Sequence, residues 1–268
     1  MKNSLCFSKF PAALVLTFLS LGAANAQVLM FDFGLTTVTG ASQTNSPYHS
    51  VNGSFADATW NKIQTADSSS LTWSDGTAAT GVSINIGVTT DNASTTVGLG
   101  NIPSINSALG GTTSTGIYAD TSVGKDGITT SSSGNTRYVG FQLGGLAAGT
   151  YDVYVSSRNT STSNSYSQTL WLGSSLVAGD FDATALTLSD SLSYANGTVA
   201  ISAWVVGENY FKLTLSLVED AYLNLATVGG GNDNRGFLNS VQIVTVPEAS
   251  SVVLLLGGLG LLAVRRRR

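Results

Sequence analysis

Apolar and polar residues alternate with period two through much of the chain between Val28 and Ile243. Val82, Ile84, Ile86 and Val88 face one way while Ser83, Asn85 and Gly87 face the other, the pattern of a half-buried strand. Val139, Phe141 and Leu143 alternate in the same way with Tyr138, Gly140 and Gln142. Tyr151, Val153 and Val155 alternate with Asp152, Tyr154 and Ser156. The turn Gly144-Gly145-Leu146-Ala147-Ala148-Gly149 between these last two predicts a hairpin, with glycines supplying positive φ. Further strands are predicted over Val28 to Phe33, Ser167 to Leu172, Ala183 to Leu188, Thr198 to Val206, Tyr210 to Val218 and Ala221 to Val228. Glu219-Asp220 forms the turn between the last two, and Phe237, Asn239, Val241 and Ile243 share one face of the closing segment.

No stretch of this region sustains a 3.6-residue period over three turns. Strands joined by turns must bury their apolar faces against a second sheet, so the expected fold class is all-β, an antiparallel β-sandwich. Gly34 to Asp57 and Thr89 to Arg137 interrupt the pattern with Ser, Thr, Gly and Asn. Loops of that length signal either function or strands hidden from the pattern.

The two ends depart from alternation altogether. Lys2 and Lys9, an apolar stretch from Ala12 to Leu21, and the small-x-small site Ala24-Asn25-Ala26 before Gln27 predict a secretory signal peptide, helical and cleaved. At the other end Pro247-Glu248-Ala249 precedes an apolar run from Val252 to Val264 and then Arg265, Arg266, Arg267 and Arg268. A helix over that run is about 20 Å long, short of a ~30 Å hydrocarbon core, and lodges only with snorkelling arginines and local thinning. The arginines hold their end in the cytoplasm and the preceding chain outside. The expected organisation is a signal peptide over 1–26, a β-sandwich domain over 27–246, and a tail over 247–268 with a short transmembrane helix.

Pro-Glu, a short apolar helix carrying Gly257, Gly258 and Gly260, and the terminal arginines resemble the PEP-CTERM sorting signal of Gram-negative bacteria. Ala249 stands where that family usually has a second proline. The resemblance implies an exosortase-type processing enzyme as a partner, a cut near the Pro-Glu motif, and delivery to the cell surface or to exopolysaccharide. The segments Leu143 to Val155 and Asn234 to Ile243 resemble jelly-roll modules of the galactose-binding-like kind, which implies that the first and last strands are neighbours.

Charge narrows the partners. Between residues 27 and 248 the chain carries 16 acidic residues against Lys62, Lys125, Arg137, Arg158, Lys212 and Arg235, a net charge near −10 where the full chain has −4. Such a surface repels phosphate backbones, so nucleic acid is not an expected partner. Cys6, the single cysteine, lies in the signal peptide, so the exported body has neither disulfides nor thiolate chemistry.

Catalytic chemistry finds little to work with. His49 is the sole histidine, and Ser50 beside it lacks a nucleophile-elbow context. Glu208 and Glu219, the only glutamates between 27 and 246, sit in turns and do not form a carboxylate pair. Asp180-Phe181-Asp182 and the Gly229-to-Asn234 loop offer oxygen ligands without the count of a calcium site, and turn chemistry explains them about as well, so no metal site is assigned and no cofactor is named. Aromatic rings beside polar groups are the usual means of holding sugars. Alternation places Trp171 opposite Leu170 and Leu172, and places Tyr154 on the outward side with Arg158, so these three are the candidate glycan contacts. Trp60, Trp73 and Trp204 read as core or rim. The resulting expectation is an exported, surface- or matrix-associated structural or adhesion protein without catalytic activity. The alternative is a carbohydrate-binding module for extracellular polysaccharide, and a third reading is a glycan-active hydrolase or lyase.

Overall fold

The computed structural model describes residues 27–34, 46–56, 59–90, 99–102, 117, 123–124, 126–130, 137–158, 166–194 and 202–247. The signal peptide, with Ala24 and Ala26, and the tail from Glu248 onward lie outside the described residues. No described helix is long and apolar enough to cross a membrane.

The chain forms β1 (Val28–Phe33), α1 (Pro47–Val51), β2 (Asn61–Ile63), β3 (Ser83–Ile86), β4 (Leu99–Ile102), β5 (Gly127–Thr130), β6 (Tyr138–Gly144), β7 (Gly149–Ser156), β8 (Tyr166–Ser175), β9 (Leu188–Tyr194), β10 (Phe211–Leu217), β11 (Tyr222–Gly231), β12 (Phe237–Leu238) and β13 (Ser240–Thr245). A five-stranded sheet in the order β10-β7-β13-β1-β2 packs on a second in the order β3-β6-β11-β8-β9, and β12-β5-β4 form a small third sheet. Pairing in the two large sheets is antiparallel except between β1 and β2. The first and last strands are neighbours, with Val28 opposite Val244 and Phe31 opposite Val241.

The main core lies between the large sheets. Phe31 and Phe33 from the first sheet meet Phe141 from the second, with ring centroids 5.8 and 5.7 Å apart. Val153, Val155, Leu170, Leu172, Leu223 and Leu225 complete the layer, each fully buried. A second apolar layer covers the outer face of the first sheet, where Val28, Met30, Tyr154 and Val244 lie under Trp204 and Tyr210, with Tyr48, Phe55 and Trp60 around them. Burial on both faces explains why Val28–Phe33 is apolar almost without interruption.

Buried amides hold the covering segments. Gln242 accepts from the backbone N–H of Tyr48 at 2.9 Å and donates to Ser46 Oγ at 3.1 Å, fixing α1 on the first sheet. Gln142 donates to the Val177 carbonyl at 2.9 Å and accepts from the Gly179 N–H at 2.7 Å, fixing the β8–β9 crossover on the second. Along that crossover Phe181, Ala183 and Leu186 pack with Trp171 and Ala226 on the outer face.

Several expectations change. β6 and β7 do not form a hairpin. They belong to different sheets, and the 144–149 turn arches between the layers. Alternation records which face a residue takes and not which strand it pairs with, and both sheets present the same period. Gly145 is required in the arch because its φ is +80° and a side-chain Cβ there would collide with the Gly81 carbonyl. The Glu219-Asp220 turn likewise joins β10 to β11 across the layers, with Asp220 at φ 59°. Ala183 to Leu188 is no strand. Asp182 caps a 3₁₀ turn over Ala183–Ala185, and the strand begins at Leu188. The two long polar stretches contain α1, β4 and β5, which alternation missed.

Candidate functional site

One end of the sandwich, where β1, β7 and β11 begin and β6, β10 and β13 finish, carries adjoining hollows. The segment from Leu71 to Ala79 is stitched into a tight loop there by the Ala79 N–H to Leu71 carbonyl bond at 2.8 Å and the Trp73 N–H to Thr77 carbonyl bond at 2.8 Å. Ser74 donates its N–H to the Val28 carbonyl at 2.9 Å, which sets Trp73 beside the start of β1. Asn61 braces the loop from below, accepting from Thr72 N–H and donating to its carbonyl, both at 2.8 Å. Trp73 rests partly on the main core and stays half-exposed.

Asp75 Oδ1 accepts from both the Thr77 hydroxyl at 2.6 Å and its N–H at 2.9 Å. The hydroxyl first, then the N–H, hold the Asp75 carboxyl below the usual range, so it is ionised through mildly acidic pH.

The facing wall is the segment from Ser46 to Ala56. Ser46 Oγ caps α1 by accepting from the His49 N–H, and Pro47 occupies the first turn. His49 Nδ1 lies 2.7 Å from the Phe55 carbonyl, which folds the segment back on itself. Tyr48 and Phe55 pack with centroids 4.7 Å apart, and Asn52 Nδ2 donates to the Tyr48 hydroxyl at 3.1 Å. Ser54 Oγ in turn donates to Asn52 Oδ1 at 2.8 Å.

Between these walls lies a cleft of about 410 Å³ whose sides carry Tyr48, Phe55 and Trp73 with Asn52, Ser54 and Asp75. That volume falls within the ~300–1,000 Å³ usual for small-ligand sites. Gln27 and Trp73 also border a second hollow of about 300 Å³, with Thr80, Thr150, Tyr151 and Thr245. Rings beside amide, hydroxyl and carboxylate groups can stack on an apolar ligand face while bonding its edge hydroxyls.

The sequence-derived candidates do not meet here. Tyr154 is on the predicted face, but that face is covered, and its ring is 3% exposed beneath Tyr48 at 5.3 Å. Burial first, then the charge of Asp152, raise its phenol above the ordinary value. Tyr154 therefore supports the cleft from one layer below and offers no surface. Arg158 is 2% exposed just past the far end of β7, where its N–H donates to Asn239 Oδ1 at 2.5 Å. Trp171 is half-buried on the outer face of the other sheet. The outward placement of Tyr154 and Arg158 is thus corrected, because loops and buried amides cover the positions that alternation assigned to solvent. Trp73 was legible only as core or rim. Its Ser74-Asp75-Gly76 turn was a local signal, whereas its meeting with Tyr48 and Phe55 is long-range.

The other candidates are structural. Asp233 is bound by Arg235 through two bonds of 2.9 and 2.8 Å, and Asp182 accepts from Thr184 and Thr90. No group of three His, Cys, Asp or Glu side chains suited to a metal occurs among the described residues. Gln27 and Pro247 frame the domain, Gln27 beside Thr245 and Pro247 exposed just beyond β13.

No family model and no curated protein sequence matches the chain. Among solved structures, it is similar to a carbohydrate-binding module, TmCBM61, determined in complex with β-1,4-galactotriose. The two are 10% identical, the match covers 61% of this chain and 88% of that one, and the TM-score is 0.26.

Proposed function

We propose that this protein is an exported, non-catalytic glycan-binding domain that holds extracellular polysaccharide in the cleft between Trp73 and the Tyr48–Phe55 wall. The observation that carries the reading is the composition of that cleft, three aromatic rings around Asn52, Ser54 and Asp75, on rigid supports at the open end of a sandwich. A sugar ring has one apolar face and a rim of hydroxyls, and such a wall satisfies both. The reading replaces the more general adhesion role, since the cleft gives a specific place for contact. The signal peptide and the PEP-CTERM-like tail supply the address in this reading: export, a passing membrane anchor, processing by an exosortase-type enzyme, and a final place at the surface or in the matrix.

Glycan-array binding followed by titration calorimetry tests the reading. Trp73→Ala is expected to weaken binding about tenfold or more, the loss of one stacked ring. Since Trp73 also touches the core, Asp75→Asn serves as the companion, keeping the acceptor of the turn while removing the charge. Binding that involves Asp75 is expected to be constant from neutral pH into mild acid and to fall only below the usual carboxylate range, because its carboxyl titrates lower than normal. A folded protein that binds no glycan overturns the proposal, as does binding unchanged in both variants.

A further inference from the structure

The cleft is not isolated. Its neighbour shares Gln27 and Trp73 with it, and a third hollow of about 690 Å³ shares Gly145, Ala147 and Ala148 with the second. The three therefore form one furrow over the end of the sandwich, interrupted by Trp73 and then by the β6–β7 arch. Both interruptions are firmly held. Trp73 is tied through Ser74 to β1, and the arch is tied by the Tyr151 hydroxyl donating to the Ala147 carbonyl at 2.7 Å.

The charges along the furrow are of one sign. Its described lining contains Asp75 in the first hollow and Glu219 and Asp220 in the third, with no lysine, arginine or histidine. Signal cleavage before Gln27 would add one α-ammonium group at the junction of the first two hollows, where the Gln27 nitrogen already donates to Thr245 Oγ1 at 2.9 Å. Three carboxylates against that single cation leave the furrow acidic. A polyuronate or sulfated chain would meet repulsion without a guanidinium or ammonium side chain to pair with it. Neutral hydroxyls meet amide, hydroxyl and carboxylate groups in the first hollow, mainly hydroxyls in the second and carboxylates in the third.

From this geometry we infer that the furrow binds an extended run of an uncharged polysaccharide, with Trp73 dividing consecutive sugar subsites and the second hollow holding the next residues of the same chain. The inference rests on the glycan-binding reading and adds to it the length and charge class of the ligand. Hydroxyls of Thr80, Thr150 and Thr245 serve the second subsite, and each added subsite raises affinity by its own contacts without a new immobilisation of the whole chain.

The test uses the full chain with neutral β-glucan, galactan and mannan oligosaccharides of two and four units, and with oligomers of alginate and polygalacturonate. At least one neutral tetrasaccharide is expected to bind about tenfold tighter than its disaccharide, and the uronates more weakly than either. Ala148→Arg, an exposed position bordering the second and third hollows, is expected to remove the tetrasaccharide advantage and leave disaccharide affinity unchanged. Tetrasaccharide affinity equal to that of the disaccharide, or unaltered in Ala148→Arg, overturns the furrow; disaccharide binding that is lost in Trp73→Ala still upholds the single cleft. Uronates binding tighter than neutral oligomers overturn the charge assignment. Failure of every glycan overturns this inference together with the reading beneath it.

Discussion

Asn239 shows how much of this fold depends on single buried amides. It stands between β12 and β13, fully buried. Its Nδ2 donates to the Asp126 carbonyl at 2.8 Å, its Oδ1 accepts from Arg158 N–H, and its backbone N–H donates to the Ser156 carbonyl at 3.0 Å. Asn239→Ala strands two buried backbone groups, each costing about 1–3 kcal/mol, so a loss of about 3 kcal/mol is expected in urea unfolding. Asp180 runs the other way. Partial desolvation of this largely exposed side chain first, then the nearby charge of Asp67, raise its carboxyl above the usual range. A raised carboxyl binds its proton more tightly in the folded state, so its ionisation opposes folding at neutral pH and ceases to do so as pH falls through the folded value. Asp180→Asn should therefore raise the Tm at pH 7, and the gain should disappear in acid, where the wild-type carboxyl is itself neutral. A Tm lower than wild type at pH 7 would contradict this. The sequence shows Asn239 as the one polar residue on an apolar face and Asp180 as a possible oxygen ligand, but neither the bonds of the first nor the setting of the second is local.

At the scale of elements, alternation located the strands well and their partners poorly. Val28–Phe33 coincides with β1, and Val139 to Leu143 and Tyr151 to Val155 fall within β6 and β7. The same alternation sets Gln142 and Gln242 opposite the core-facing residues, yet both are buried under covering segments. A polar residue opposite an apolar one says only that the two faces differ, since an amide that clamps a loop has the same period as one that meets water. The candidate cleft was hidden for that reason: its walls, 46–56 and 73–75, are covering loops whose docking is recorded in buried polar residues and not in hydrophobic pattern. Gln142 gives a direct check. Besides its bonds to Val177 and Gly179, it donates to Asn224 Oδ1 at 2.9 Å. Gln142→Ala should lower stability by about 2–3 kcal/mol, the sum of its net hydrogen bonds. It should also expose the Leu176-to-Leu186 crossover, so that limited proteolysis cuts there before anywhere in β6 or β11. Cleavage at the wild-type rate and position would show that apolar packing of Phe181, Ala183 and Leu186 is sufficient by itself.

The whole molecule is closed at the point where its flanking segments leave. β13 lies between β7 and β1 at the centre of the first sheet, and Gln27 and Thr245 bond to each other through both backbones and the threonine hydroxyl. The last described backbone bond, Val246 N–H to the Thr150 carbonyl at 2.8 Å, falls just short of Pro247. The described hydrogen bonds thus lie between Gln27 and Val246, and a cut near Glu248 crosses none of them. Gln27 and Val246 both border the furrow, so under the proposed function an uncut tail would hold this end toward the membrane, and release would free it for the matrix. A chain truncated after Pro247 is expected to keep the Tm of the full chain, whereas truncation before β13 removes the central strand of a sheet and should abolish folding. Mass spectrometry of the surface fraction completes the argument: a mature species beginning at Gln27 and ending near Glu248 is expected. Recovery there of an intact Val252–Val264 segment would show that the tail remains an anchor, and the furrow would then work facing the bilayer.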